Sequence, residues 1–261
     1  MDESRMDEPD RRAGHPNHEG RSEGERRSDG GGRSDRDARG DDDALAPRLV
    51  GITGGIGAGK STLARFLATE FGPPLLDADM LGHEALLPGT TTYETVLARF
   101  GDELEEPDGS ISRSRLARIV FSDPKALRDL EAIVHPWILE RIQTRRLALK
   151  ASGYVGIILL DAALLLDWEE ELDLDAVVVV TAPSDVRIAR LALRGLPEDE
   201  ARRRMESQRP EEEWTPSADW IVVNDGDVDD LARRARALWA DVCSRFGLPA
   251  MQGNLGRGDS R

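Results

Sequence analysis

The sequence predicts an α/β fold, a doubly wound parallel sheet of five strands. Apolar runs recur at residues 49–52, 74–76, 155–160, 176–180 and 220–223, without the alternation of a half-exposed strand. Strands covered on both faces read this way. Between the runs lie stretches of helical periodicity, and a chain that alternates so winds helices onto both sides of a parallel sheet. A glycine-rich segment follows the first run directly, at the strand end where such sheets gather their ligands.

The first run leads into Gly54-Gly55-Ile56-Gly57-Ala58-Gly59-Lys60-Ser61, a complete phosphate-binding loop of the form G-x-x-x-x-G-K-S. An amphipathic stretch, Ser61-Thr62-Leu63-Ala64-Arg65-Phe66-Leu67, comes next. Glycines let such a loop curl so that backbone N–H groups face a polyphosphate, and the helix that follows aims its positive end at the same anion. Residues 55–62 are therefore the expected nucleotide contacts: Gly55, Ile56, Gly57, Ala58, Gly59, Lys60, Ser61 and Thr62. Lys60 reaches the β- and γ-phosphates, and the Ser61 hydroxyl is a Mg²⁺ ligand.

After the second run, Asp77-Ala78-Asp79 places two carboxylates at a strand end facing the loop. Acids near a triphosphate hold a metal, directly or through water, or accept the proton of an attacking hydroxyl. A helical insertion is expected at about residues 81–150, starting a long helix at Ser122-Asp123-Pro124, with Pro136 interrupting or kinking it. The third run ends at Asp161. Beyond the fourth, Arg190, Arg194 and Arg209 flank Ala201-Arg202-Arg203-Arg204 in a region read as a helical lid, about 190–215. Arg202–Arg204 themselves are read as a solvated face matched by Glu198, Asp199, Glu200 and Glu206.

Composition sets the limits. Residues 1–46 are almost wholly polar and cannot bury enough apolar surface to offset their ordering entropy, so a disordered tail is expected there and a second at 249–261. Residues 47–248 then form one domain. A net charge of −15 disfavours a nucleic-acid partner. A single cysteine, Cys243, excludes an intrachain disulfide and argues against a cysteine metal site. No apolar run is long enough for a membrane span or a secretory signal, so a cytoplasmic protein is expected, as a monomer or weak homo-oligomer.

The ordered set of motifs resembles the dephospho-coenzyme A kinase family. Residues Val50 to Thr62 look like its G-L-T-G-G-I-G-S-G-K-S-T, and Asp77-Ala78-Asp79 like its D-A-D. Pro88-Gly89, Asp108-Gly109, Arg113, Leu130-Glu131, His135-Pro136, Arg190, Arg194, Gln208, Ala218-Asp219 and Asn224 follow in the family's order. Where the family has D-x-P-L-L-F-E, this chain has Asp161-Ala162-Ala163-Leu164-Leu165-Leu166-Asp167.

The resemblance implies a P-loop kinase fold and transfer of the ATP γ-phosphoryl group, with Mg²⁺, to the ribose 3′-hydroxyl of dephospho-coenzyme A. It implies Lys60, Asp79, Arg190 and Arg194 as catalytic residues, with Asp79 as the base. Substrate contacts would be Asp77, Asp79, His135, Asp161 and Leu164, and Ser61 and Asp77 would serve the metal. The remaining alternatives are another small-molecule kinase for nucleosides or nucleotides, and a non-catalytic nucleotide-binding module. A GTPase would need N-K-x-D where this chain has Asn224-Asp225-Gly226-Asp227.

Overall fold

The five apolar runs become the five strands. In the computed structural model, which describes residues 46–250, β1 spans Arg48–Gly54, β2 Leu75–Asp77, β3 Ile157–Asp161, β4 Ala176–Thr181 and β5 Trp220–Val223. Their order in the sheet is β2-β3-β1-β4-β5, with every pair parallel. The expected tails lie outside the described residues, save for Ala46, Pro249 and Ala250.

Side chains alternate between two apolar layers. Val50 and Ile52 of β1, Ile157 and Leu159 of β3, and Val178 and Val180 of β4 face one side. They pack there against α1 (Lys60–Phe71) and the last helix, α10 (Val228–Arg245). Leu49, Ile158, Leu160, Val177 and Val179 face the other side. There they meet α2 (Ala78–Ala85) and α5 (Pro124–Ala151). Both faces being covered explains why these strands read as unbroken apolar runs. Each fully buried Leu or Ile contributes roughly 1.5–3 kcal/mol. The edge strand β5 departs from this rule, since Ile221 and Val223 stay about half exposed.

The insertion is built of α2, α3 (Thr91–Phe100), α4 (Arg113–Ser122) and α5. It carries a third core of its own around Val96, Phe100, Leu104, Leu116 and Val120. Capping residues start α2, α3 and α5: Asp77 accepts from the Met80 N–H, Thr90 from Tyr93, and Asp123 from Lys125 with Pro124 in the first turn. α2 is pinned to α5 by two bonds from Arg145 to the Glu84 carboxylate, at 2.8 and 2.9 Å.

Of the two effects expected of Pro136, interruption does not occur: α5 runs continuously through 28 residues. An interior proline costs about 3 kcal/mol through its missing N–H and its ring. Contacts of α5 with α2, α3, α4 and the sheet-facing core hold the helix across it. Beyond β3 come the short α6 (Glu169–Leu172), then after β4 α7 (Ser184–Leu193), α8 (Glu198–Glu206) and the short α9 (Glu211–Trp214).

Acids at the amino ends of β4 and β5 tie the strands together. Asp175, buried, accepts from the Leu49 N–H at 2.7 Å and pairs with Arg48 at 3.1 Å and Arg146 at 3.4 Å. Asp219 accepts from the Val177 N–H at 2.8 Å and pairs with Arg245. Removing one member of a buried charge network costs about 3–5 kcal/mol, because its partners are left uncompensated. Asp175→Ala should lower the urea midpoint by an amount in that range with an unchanged m-value. A loss under about 1 kcal/mol would show that the network contributes little.

Candidate active site

The loop between β1 and α1 is shaped from outside. Its carbonyl oxygens are claimed one after another: Gly55 by the Ala58 N–H, Ile56 by Arg187 Nε at 2.8 Å, Ala58 by Asn224 Nδ2 at 2.7 Å, and Gly59 by the Thr62 and Leu63 N–H groups. Gly59 has φ +100°, and a Cβ there would stand 2.3 Å from Asn224 Nδ2. Only glycine admits both the conformation and the contact. Among the described residues, the N–H groups of Gly57, Gly59, Lys60 and Ser61 have no protein acceptor. Four donors thus converge at the start of α1, an arrangement suited to a polyphosphate.

Not every predicted contact is available in this way. The Ile56 N–H is bound to Gln208 Oε1 at 2.8 Å, and the Ala58 and Thr62 N–H groups bond within the loop. Lys60 Nζ lies 3.1 Å from Asp161 Oδ1 and 3.4 Å from Ser61 Oγ. Asp161 is 3% exposed, so this ion pair is largely shielded from solvent. Asp161 and Asp77 are in register on adjacent parallel strands, about 4.8 Å apart in the pairing direction. Of these two acids, Asp161 is the one paired with the Lys60 ammonium. Asp77 Oδ1 caps α2 through the Met80 N–H at 3.1 Å. Asp79, in the first turn of α2, is exposed.

Asp79 also lines a cavity of about 410 Å³ between α2, α5 and the segment after β3. α2 contributes Gly82 and His83 to its wall, α5 contributes Leu130, Glu131, Val134 and His135, and the segment after β3 contributes Ala163, Leu164 and Trp168. The i, i+4 spacing of Asp79 with His83 and of Glu131 with His135 puts each pair on one helix face. Leu164 is 37% exposed and also borders a second cavity of about 220 Å³ with Thr53, Asp167, Gln208 and Arg209. Asp167 pairs there with Arg209 at 2.6 Å.

The lid arginines differ in their surroundings. Arg190 reaches the loop: Nη1 donates to Ala58 O at 3.4 Å and to Asn224 O at 3.0 Å, and Nη2 donates to Asn224 Oδ1 and Gly226 O at 3.1 and 3.2 Å. Arg194, at the carboxyl end of α7, is exposed and makes no ion pair among the described residues. Arg202, Arg203 and Arg204 are matched within α8 by Glu198, Asp199 and Glu200. Hydrogen bonds from Arg204 and Arg203 hold the Glu200 carboxyl below its ordinary range.

Two residues at the site escaped the sequence. Arg187 lies three positions before Arg190 on α7, a spacing that could have marked it. Nothing in the sequence distinguishes Trp168, yet its Nε1 donates to His135 Nδ1 at 3.4 Å and the two rings meet edge to face.

That contact requires an unprotonated Nδ1. Burial pushes the His135 imidazole below its ordinary 6.5, although Glu131 and Asp167 pull the other way. Below 6.5 the unfolded chain binds a proton that the folded chain does not. The stability linked to the neutral ring is therefore complete above pH 6.5 and is lost as pH falls towards the lowered folded value. His135→Gln should remove this part of the acid sensitivity. Urea unfolding at about pH 8 and about pH 5.5 should show the wild type losing more stability than the variant on acidification. Parallel losses would place the acid sensitivity in other groups.

Comparison with known proteins agrees with this geometry. A family model described as dephospho-CoA kinase matches residues 48–230. The dephospho-CoA kinase of Frankia casuarinae is 43% identical over 196 residues, 75% of this chain and 84% of that protein. That of Geobacter sulfurreducens is 37% identical over 193 residues, 74% and 97% respectively. Among solved structures, a Thermus thermophilus protein matches with a TM-score of 0.60 at 37% identity, covering 76% of this chain and 98% of that one. Dephospho-CoA kinase from Campylobacter jejuni shares the fold, with a TM-score of 0.55 at 23% identity over 76% of this chain and 98% of that one. With the phosphate loop, the paired acids and the helical insertion all in one chain, this protein belongs to the dephospho-CoA kinase family.

Proposed function

We propose that this chain transfers the γ-phosphoryl group of ATP to the ribose 3′-hydroxyl of dephospho-coenzyme A. The observation that carries the reading is Asp79, standing on the wall of the 410 Å³ cavity two residues beyond the strand end that adjoins Lys60 and Asp161. A hydroxyl held in that cavity would have the Asp79 carboxylate on its wall.

In the reaction the acceptor oxygen bonds to the γ-phosphorus as the bond from that phosphorus to the β–γ bridging oxygen breaks. ADP leaves and the hydroxyl proton passes to Asp79. Phosphoryl transfer asks mainly for positioning and charge stabilisation. The open N–H groups of Gly57, Gly59, Lys60 and Ser61 hold the polyphosphate, and Lys60 follows the β- and γ-oxygens. Asp161, 3.1 Å from the Lys60 ammonium, orients that side chain at the end of the loop.

Mg²⁺, when bound, neutralises charge on the β- and γ-phosphates. Ser61 Oγ would ligate it, and the second oxygen of Asp77, which has no protein donor among the described residues, would order its water. No group of three or more His, Cys, Asp or Glu able to hold a metal occurs among those residues. This donor set fits an ion that takes most of its ligands from phosphate and water. Loop, base and cavity all come from one chain, so a monomer suffices. No described helix is long and apolar enough to cross a membrane, and we assign the reaction to the cytoplasm.

Lys60→Ala should reduce turnover to background and also destabilise the protein, since it leaves Asp161 buried without its cation. That second cost is roughly 1–3 kcal/mol. Lys60→Ala combined with Asp161→Asn should recover the stability and none of the turnover. Restored turnover in the pair would remove Lys60 from the nucleotide site.

Asp79→Asn should lower kcat by about 10²–10⁴-fold with small changes in either KM, as loss of general-base assistance does. Asp77→Asn keeps an oxygen for the Met80 N–H, so the start of α2 survives. Its defect should shrink as Mg²⁺ is raised. An Asp79→Asn enzyme that keeps kcat but loses ATP affinity would show that the two acids have exchanged roles.

A further inference from the structure

We infer that Arg187 and Gln208 are positioning residues that hold Ile56 of the phosphate loop between them, so that the α8 excursion and nucleotide binding are coupled. The inference rests on the reading of residues 54–61 as the nucleotide site.

Both backbone polar groups of Ile56 are taken by side chains from distant parts of the chain. Its N–H donates to Gln208 Oε1 at 2.8 Å, and its C=O accepts from Arg187 Nε at 2.8 Å. The circuit closes where Arg187 Nη2 reaches Gln208 Oε1 at 3.3 Å. Arg187 lies on α7, before α8, and Gln208 lies just after α8. The chain therefore leaves this point, runs through α8, and returns to the same residue of the loop.

Close approach makes the contact specific. A Cβ on Gly55 would stand 2.5 Å from Arg187 Nη2, and one on Gly57 would stand 2.9 Å from the Arg187 carbonyl oxygen. The glycines thus admit α7 on the outer side of the loop as well as phosphate on the inner side. Arg187 is half-buried and burial lowers its pKa, with Glu211 acting in the opposite direction.

A shift of α8 that separates Arg187 from Gln208 breaks the bond between them and, carried further, one of the two bonds that hold Ile56. A polyphosphate that fixes the loop resists that separation. By linkage the effect is mutual: whatever holds the two residues together also improves nucleotide affinity.

The test uses the full-length protein and the variants Arg187→Met, Arg187→Lys, Gln208→Leu and the Arg187→Met/Gln208→Leu pair. ATP binding is read by equilibrium dialysis and by the ATP-dependent rise in melting temperature. KM and kcat for ATP and for dephospho-coenzyme A follow from initial rates.

Each of the two single truncations should weaken ATP binding by about tenfold, the effect of losing one well-formed hydrogen bond to a confined group. Acceptor KM should change by less than about twofold. Arg187→Lys, which keeps a donor but loses the fork, should fall between wild type and Arg187→Met. The double variant should be little worse than either single one, because both residues hold the same peptide.

Additive losses, or melting temperatures that fall while ATP affinity holds, would overturn the coupling and leave a merely structural role. If the wild type binds ATP but does not phosphorylate dephospho-coenzyme A, the proposed reaction fails while the binding arm still decides the clamp.

Discussion

A phosphate loop can offer its amides to an anion only if its carbonyl oxygens are occupied elsewhere, since each oxygen turned inward would repel the charge it is meant to bind. In this chain the constraint is met largely by residues far away in sequence. Arg187 is 131 residues from Ile56, and Asn224 is 166 from Ala58. The loop is therefore not preformed by its own sequence. It takes shape once β1 lies beside β4, with α7 and the segment after β5 folded onto it. The parallel order of the sheet is thus a precondition of the chemistry, because it brings the ends of β1, β3, β4 and β5 to one edge.

The same order explains how much could be read in advance. Strands buried on both faces announce themselves as apolar runs, and all five fell where the runs lie, with β5 matching at both ends. The loop and the acids after β2 were equally plain, because their chemistry depends on local spacing. Arg190 was harder. A guanidinium in a lid reads as a phosphate ligand; that its side chain also reaches oxygens of Ala58, Asn224 and Gly226 is set by tertiary packing that no local pattern encodes. Pro136 shows the same gap from the other side: the local rule allows an interruption or a kink, and packing against three helices and the sheet carries the helix through without interruption.

Departures from the family pattern after β3 also acquire a physical sense. The carboxylate of Asp167 is one methylene shorter than a glutamate, and it meets Arg209 at the end of the α8 excursion. Ala163 leaves its carbonyl to the Thr53 hydroxyl at 3.4 Å, which fixes the segment next to β1. Leu164 stands at the border of both cavities. The segment therefore stands as a wall between the two cavities, with its shape set by these contacts rather than by a proline ring.

α8 buries only Ala201, and its helical state is supported mainly by arginines and acids three and four positions apart on its own surface. Interactions of that kind are each worth a few tenths of a kcal/mol and fade as ions accumulate around them. The sheet is held by apolar burial and by ion pairs largely shielded from solvent, which ions screen much less. Ionic strength therefore acts on the two parts unequally, loosening the excursion while leaving the scaffold intact. In a cell whose salt content varies, the one segment joined to both sides of Ile56 would be the first to respond.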